Sequence, residues 1–289
     1  MSGTILVTGG TIGDFVVDGL TKKGKKVRVT TYKNQSKAAW AAAGIEQAEF
    51  DYTRPETLAR AFEGIESYFS VSPLIQELSE AGIEAVNAAK KAGIRRIVRS
   101  SALGAASNPV TFGRWHFAVE QAIEASGLSY TILQPNAFMQ NYFGFADSIK
   151  KQRKFYAPLA DSKMSLVDAR DMADAAVVVL TEPGHESKKY KITGGEAISS
   201  EESAAALTEV LRKSVEYVAV SNDQAKSAMA GMGMPAWMID GFLELYQLAV
   251  DGWLSAVIPD LEKLLGRKPR TFLQFCRDFP SSFRLMPFG

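Results

Sequence analysis

Between Phe15 and Gly127 a helical stretch stops at a glycine and gives way to a β-rich run five times over. The helical patterns cover Phe15–Lys23, Ser36–Ala43, Glu56–Phe62, Glu77–Ala92 and Phe117–Ser126, and the glycines that follow are Gly24, Gly44, Gly64, Gly93 and Gly127. Glycine enters the left-handed conformation that closes a helix without a Cβ penalty. The β-rich runs are Ile5–Thr8, Val27–Thr31, Gln47–Phe50, Tyr68–Val71, Arg96–Ser100 and Tyr130–Leu133. A β-α unit repeated in this way makes parallel strands joined by helical crossovers, and such sheets are covered on both faces. Ligands then meet the carboxyl ends of the strands.

Past about residue 150 the rhythm changes. Short extended pieces (Ser165–Val167, Tyr190–Ile192, Glu216–Val220) alternate with helices near Ala169–Leu180, Ser200–Leu211, Asp223–Ala230, Ala236–Trp253 and Asp260–Leu265. The expected fold class is α/β: a doubly wound parallel-sheet Rossmann fold with a smaller mixed C-terminal lobe. Residues 1–150 are expected to form the ligand-binding core. Residues 151–289 form a smaller α/β substrate lobe, interleaved with the core rather than independent.

The first strand ends in Thr8-Gly9-Gly10-Thr11-Ile12-Gly13. Glycines here allow positive φ, bring backbone N–H groups close to phosphate and let the following helix pack tightly. The helix dipole adds attraction for an anion. All six residues are therefore candidates for holding a dinucleotide.

Seven segments together resemble the NmrA-like atypical short-chain dehydrogenase/reductase family, in the branch of triphenylmethane dye reductases and NADPH-quinone oxidoreductases. They are "ILVTGGTIGDFVVDGL", "FDYTRPETLARAFEGIE", "SVSPL", "AAKKAGIRRIVRSSALGA", "AVEQAIEASGLSYTILQPNAFMQNYF", "DARDMADAAVVVLTEPGHESKKYKITGGEAIS" and "LGRKPRTFLQFCRDF". The family usually carries T-G-A-T-G-x-x-G in the first segment, so this loop is two residues shorter, with the Gly10-to-Gly13 spacing intact. Fewer amides then face a diphosphate. Each such bond to a charged group contributes about 1.5–3 kcal/mol, so binding weakens without vanishing.

The second strand runs into Tyr32-Lys33-Asn34-Gln35-Ser36-Lys37 with no carboxylate to take a ribose 2′-hydroxyl. Lys33 or Lys37 suits a 2′-phosphate, so NADP (as NADPH) is expected over NAD. By the resemblance, Asp51 and Ser70, Val71 and Ser72 flank the adenine and the nicotinamide-side ribose, and Ser100 and Asn136 complete the cofactor set. Where most short-chain dehydrogenases carry Tyr-x-x-x-Lys, this chain has Phe112 and His116. Phenylalanine cannot shuttle a proton. His116 is the catalytic candidate, able to bond a ribose or donate a proton near neutral pH. Trp115, Phe138, Met139, Tyr142 and Trp237 are expected to line a slot for the acceptor. Met229, Met232, Met234, Phe242 and Tyr246 could close it, with Gly231–Pro235 as a cover.

The implied activity is reduction of a quinone-like or conjugated aromatic acceptor with NAD(P)H. The alternative is an NmrA-type non-catalytic regulator that senses the dinucleotide. Composition narrows the other classes. Lysine plus arginine (33) nearly balances aspartate plus glutamate (32), so no overall field favours nucleic acid. One cysteine and two histidines supply too few ligands for a typical zinc site, and no metal is expected. With no apolar run of membrane-spanning length and no leader, the chain is expected to be cytoplasmic, a monomer or homodimer.

Overall fold

The computed structural model describes residues 3–32, 37–107 and 110–284. In chain order its elements begin β1 (Thr4–Val7), α1 (Thr11–Lys22), β2 (Val27–Thr31), α2 (Ala38–Ala42), β3 (Glu46–Glu49) and α3 (Pro55–Phe62). They continue with β4 (Ile65–Val71), α4 (Leu78–Lys91), β5 (Arg96–Ser100), α5 (Thr111–Ala125) and β6 (Ser129–Pro135). A 3-10 helix (Met139–Phe145) precedes α6 (Ala146–Gln152), β7 (Lys154–Ala157), β8 (Lys163–Met164), α7 (Ala169–Thr181) and β9 (Lys188–Ile192). The remainder comprises β10 (Ile198–Ser199), α8 (Ser200–Leu211), β11 (Glu216–Ala219), α9 (Asn222–Gly231), α10 (Ala236–Val250), α11 (Asp260–Leu265) and α12 (Phe272–Asp278).

Two compact units result, the first formed by Met1–Pro135 with Ala169–Lys191 and the second by Asn136–Asp168 with Ile192–Gly289. In the first, the sheet order is β3-β2-β1-β4-β5-β6-β9, and every pairing from β3 through β6 is parallel. The order reverses between β1 and β4, which opens a crevice at their carboxyl ends. All five glycines expected to end helices have φ between 68° and 80°. On one face Leu58, Phe62, Leu78, Val86 and Ile123 pack against Leu6, Tyr68 and Ile97 of the strands. Packing of α1 against α7 is close at Gly19, where a Cβ would stand 2.8 Å from Val177 Cγ2.

Two helices start a full turn or more before their sequence patterns suggest. α1 begins at Thr11 rather than Phe15, because the shortened loop leaves only Thr8, Gly9 and Gly10 between strand and helix. α5 begins at Thr111 rather than Phe117, so Phe112, Trp115 and His116 lie within it. The second unit carries two small sheets, β8 antiparallel to β10 and β7 parallel to β11. Its core is aromatic: Phe155, Phe272, Phe275 and Phe283 surround Leu207, Leu211 and Tyr142.

Candidate functional site

The turn after β1 is set by two close approaches. A Cβ on Gly9 would lie 2.4 Å from the Thr30 carbonyl oxygen of β2, and one on Gly13 would lie 1.9 Å from the Thr8 carbonyl oxygen. Only glycine lets the backbones come this near. Gly10 differs: its φ is +118°, and among the described residues nothing stands within 4 Å of where its Cβ would be. It is the residue before α1, whose first internal bond runs from Asp14 N–H to Gly10 O at 2.8 Å. The amides from Gly10 to Gly13 thus precede the helix's own bonding pattern. Thr8 and Gly9 are committed elsewhere, since Thr8 N–H donates to Phe69 O (3.0 Å) and Gly9 N–H to Thr30 Oγ1 (3.0 Å). An open glycine beside amides at a helix head fits a diphosphate, on fewer donors than a full-length loop would offer.

The Thr8 hydroxyl ties this turn to β4, where it lies 3.0 Å from Tyr68 Oη and accepts from Val71 N–H at 3.3 Å. Further along that edge, Tyr52 Oη donates to Val71 O (3.3 Å), and Ser72 Oγ is buried without a hydrogen-bond partner. Ser100 is buried at the end of β5. Asp51 is also buried, and its Oδ1 accepts from both Thr53 N–H (3.0 Å) and Thr53 Oγ1 (2.7 Å). Lys33 lies outside the described residues. Lys37 forms an ion pair with Asp14 in the first turn of α1, and its ammonium stands 4.3 Å from the Trp40 ring centre.

His116 lies on the α5 face that meets β5. Its Nδ1 is 3.2 Å from Arg99 Nη2, and Arg99 Nη1 donates to Ser70 Oγ at 3.3 Å. A guanidinium only donates, so Nδ1 accepts and the ring proton sits on Nε2. Burial, reinforced by the Arg99 charge, lowers the His116 pKa to about 3. With Nδ1 facing a guanidinium and the pKa lowered, the arrangement favours a neutral ring near neutral pH, suited to hydrogen-bond donation from Nε2–H rather than to the proton transfer expected from the sequence. One turn earlier, Phe112 is buried with its ring centre 5.5 Å from that of Trp115.

Sequence reasoning missed the polar groups beneath this face. Arg99 and Glu120 are both 0% exposed. Glu120 accepts from Ser101 Oγ (2.5 Å), Gln134 Nε2 (2.9 Å) and Lys189 Nζ (2.9 Å). The available signals were an arginine inside the apolar run of β5 and a carboxylate four residues after His116.

In the second unit, Asn136 is buried and its Nδ2 reaches Ser165 Oγ (2.8 Å), Leu254 O (2.9 Å) and Ser165 O (3.2 Å). Its Oδ1 accepts from Ala137 N–H at 2.8 Å. The cofactor role expected of Asn136 gives way to a local clamp, because protein groups already occupy both ends of its amide. Met139 and Tyr142, expected in the acceptor slot, are 1% and 5% exposed in the aromatic core, with Tyr142 4.6 Å from the Phe272 ring. Apolar burial stabilises them there, and the structure shows them packing a core rather than facing an open slot. Phe138 is half-buried and bridges to Val167, and Trp237 is half-buried on α10. Met232, in the suggested cover, is 73% exposed. Among the described residues there is no group of three potential metal ligands, and no helix is long and apolar enough to cross a membrane.

Strand order, the crevice at β1 and β4, and the glycine turn together define a dinucleotide-binding α/β protein. Residues 1–275 match the NmrA-like family, and the chain belongs to it. It is 40% identical over 283 residues to the NAD(P)H azoreductase of Xenophilus azovorans, covering 96% of this chain and 99% of that one. Among solved structures, the Escherichia coli NADPH-dependent quinone oxidoreductase QOR2 complexed with NADPH matches with TM-score 0.86 at 28% identity, over 94% of this chain and 98% of the other. Triphenylmethane reductase from Citrobacter sp., complexed with NADP(H), gives 0.85 at 25% identity over 95% and 99%.

Proposed function

We propose that the chain is an NADPH-dependent reductase of conjugated aromatic acceptors, azo compounds and quinones being the first to test. One observation carries the reading: the amides from Gly10 to Gly13 and the open space at Gly10 stand at the sheet's switch point, where a diphosphate fits. The relatives with azoreductase and quinone oxidoreductase activity, alike over nearly the whole length, support the substrate class. A bound nicotinamide would supply hydride; the chain's own residues orient, desolvate and stabilise charge. Thr8 braces the turn against β4, and the buried Ser70 and Ser100 with the half-buried Ser72 offer polar groups at the neighbouring strand ends. A conjugated acceptor delocalises the charge it gains, so a neutral His116 and the absence of a tyrosine acid at Phe112 are compatible with turnover.

NADPH is favoured over NADH because no carboxylate follows β2 at Tyr32 and a lysine, Lys37, lies against the head of α1. Titration with each nucleotide, followed by nicotinamide fluorescence, should give tighter binding of NADPH. Absorbance at the nicotinamide band should then fall on adding azo dyes or quinones. Binding without turnover across both classes would favour the non-catalytic regulator. No binding at millimolar nucleotide would overturn both readings.

A further inference from the structure

We propose that Arg99 is a positioning residue, holding His116 as a neutral imidazole with its proton on Nε2 and aiming that N–H at the heteroatom of the acceptor. The inference rests on the reductase reading and names the group that meets the developing charge.

The geometry begins with a guanidinium in an unusual place. Arg99 is wholly buried at the end of a central strand, yet among the described residues no carboxylate is hydrogen-bonded to it. Its neighbours are Ser70, His116 and the phenols of Tyr52 and Tyr68, and its Nε has no hydrogen-bond partner. Glu120, one turn beyond His116, acts on Arg99 from a distance but is itself held by Ser101, Gln134 and Lys189. Burying an unneutralised cation is expensive, so a stability role explains this arrangement poorly. A role toward the ring explains it better. Donation from Nη2 fixes Nδ1 as acceptor and draws electron density from the imidazole, which makes Nε2–H a stronger donor. His116 is half-buried, and among the described residues its ring has a hydrogen-bond partner at Nδ1 while Nε2 has none, which leaves Nε2–H available to a ligand.

Neutral imidazole used as an electrophile is an established solution where negative charge develops on a substrate. Here two electrons and a hydrogen would reach the acceptor as hydride. The acceptor's π pair moves to its oxygen or nitrogen, Nε2–H stabilises that atom by hydrogen bonding, and a solvent proton completes the reduction. His116 keeps its own proton throughout. Among the charged groups of the described residues Arg99 alone acts on the ring, and no carboxylate of the elements packed against α5 offsets it. Activity should therefore show no histidine ionisation between about pH 5 and 8.

The test starts with ligand-free protein. His116 and His185 are the only histidines, so their ring ¹⁵N signals separate readily. His116 should stay neutral from pH 5 to 9 with the proton on Nε2, and Arg99→Met should mix the tautomers and move its midpoint up toward the ordinary value. A wild-type ring that titrates near pH 6.5, or carries its proton on Nδ1, overturns the proposal whether or not the protein reduces anything. In the kinetic arm, His116→Ala should lower kcat roughly 100-fold, while His116→Gln, which keeps a neutral N–H, should stay within about threefold of wild type. Arg99→Met should lower kcat about tenfold at unchanged NADPH Kd and undiminished Tm. Equal losses in His116→Ala and His116→Gln would mean that proton donation matters, and an unchanged kcat in Arg99→Met would remove Arg99 from the reaction.

Discussion

Gly13 and Gly10 sit three residues apart, yet their physical demands are opposite. Gly13 needs the absence of a Cβ, because Thr8 O occupies that space. Gly10 has free space and needs only its positive φ. Gly13→Ala should therefore cost about 1–3 kcal/mol through overpacking against backbone. Gly10→Ala should cost about 1–2 kcal/mol of backbone strain and also crowd the nucleotide. Urea midpoints read the first effect in both variants; NADPH Kd, compared at matched folded fraction, should weaken more for Gly10→Ala. If Gly13→Ala weakened binding while leaving stability untouched, the close-approach explanation would fail. Both glycines were visible in the sequence as members of one motif, but their separate reasons depend on what lies across the turn.

At the scale of elements, α5 does most to organise the site. Phe112, His116 and Glu120 recur every four residues, so they stack along one helical face. The first closes an apolar contact, the second meets Arg99, and the third accepts three donors in the interior. Lys189 also pairs with Glu124 (3.0 Å), linking β9 to the same helix. Lys189→Met would leave Glu120 buried with two neutral donors, and should destabilise by about 3 kcal/mol in chemical denaturation; a change under 0.5 kcal/mol would show that the carboxylate is adequately satisfied without it. In the second unit, Ser199 caps α8, accepting from Glu202 N–H (3.2 Å) while Glu202 Oε2 accepts from Ser199 N–H (2.7 Å). Ser199→Ala should cost about 1 kcal/mol by the same assay.

For the whole molecule, two desolvated titrating groups, the half-buried His116 and the buried Cys276, bound a window of stability. His116 has a folded pKa of about 3 against about 6.5 unfolded, so the unfolded chain takes up the proton first as pH falls. Its contribution is complete above pH 6.5 and is lost toward pH 3, by up to about 1.4 kcal/mol per unit. Burial pushes the Cys276 thiol up to about 12, so the unfolded chain ionises first and stability declines above about pH 9. Thermal unfolding from pH 4 to 10 should show the plateau, and His116→Gln should flatten its acid side relative to wild type. The alternation of strand, helix and glycine by itself determined the elements and their parallel β-α character, because helix closure and strand extension are local properties of a few neighbouring residues. The glycine cluster marked the turn after β1, while His116 stood out only through the resemblance to a known family. What only the tertiary structure decided was the state of these groups: that His116 is neutral, that Asn136 is clamped, that Met139 and Tyr142 belong to a core, and that Arg99 is buried without a bound carboxylate. Those outcomes depend on partners as far away in sequence as Leu254 is from Asn136, and desolvation by such partners sets both the charge of a side chain and its reach.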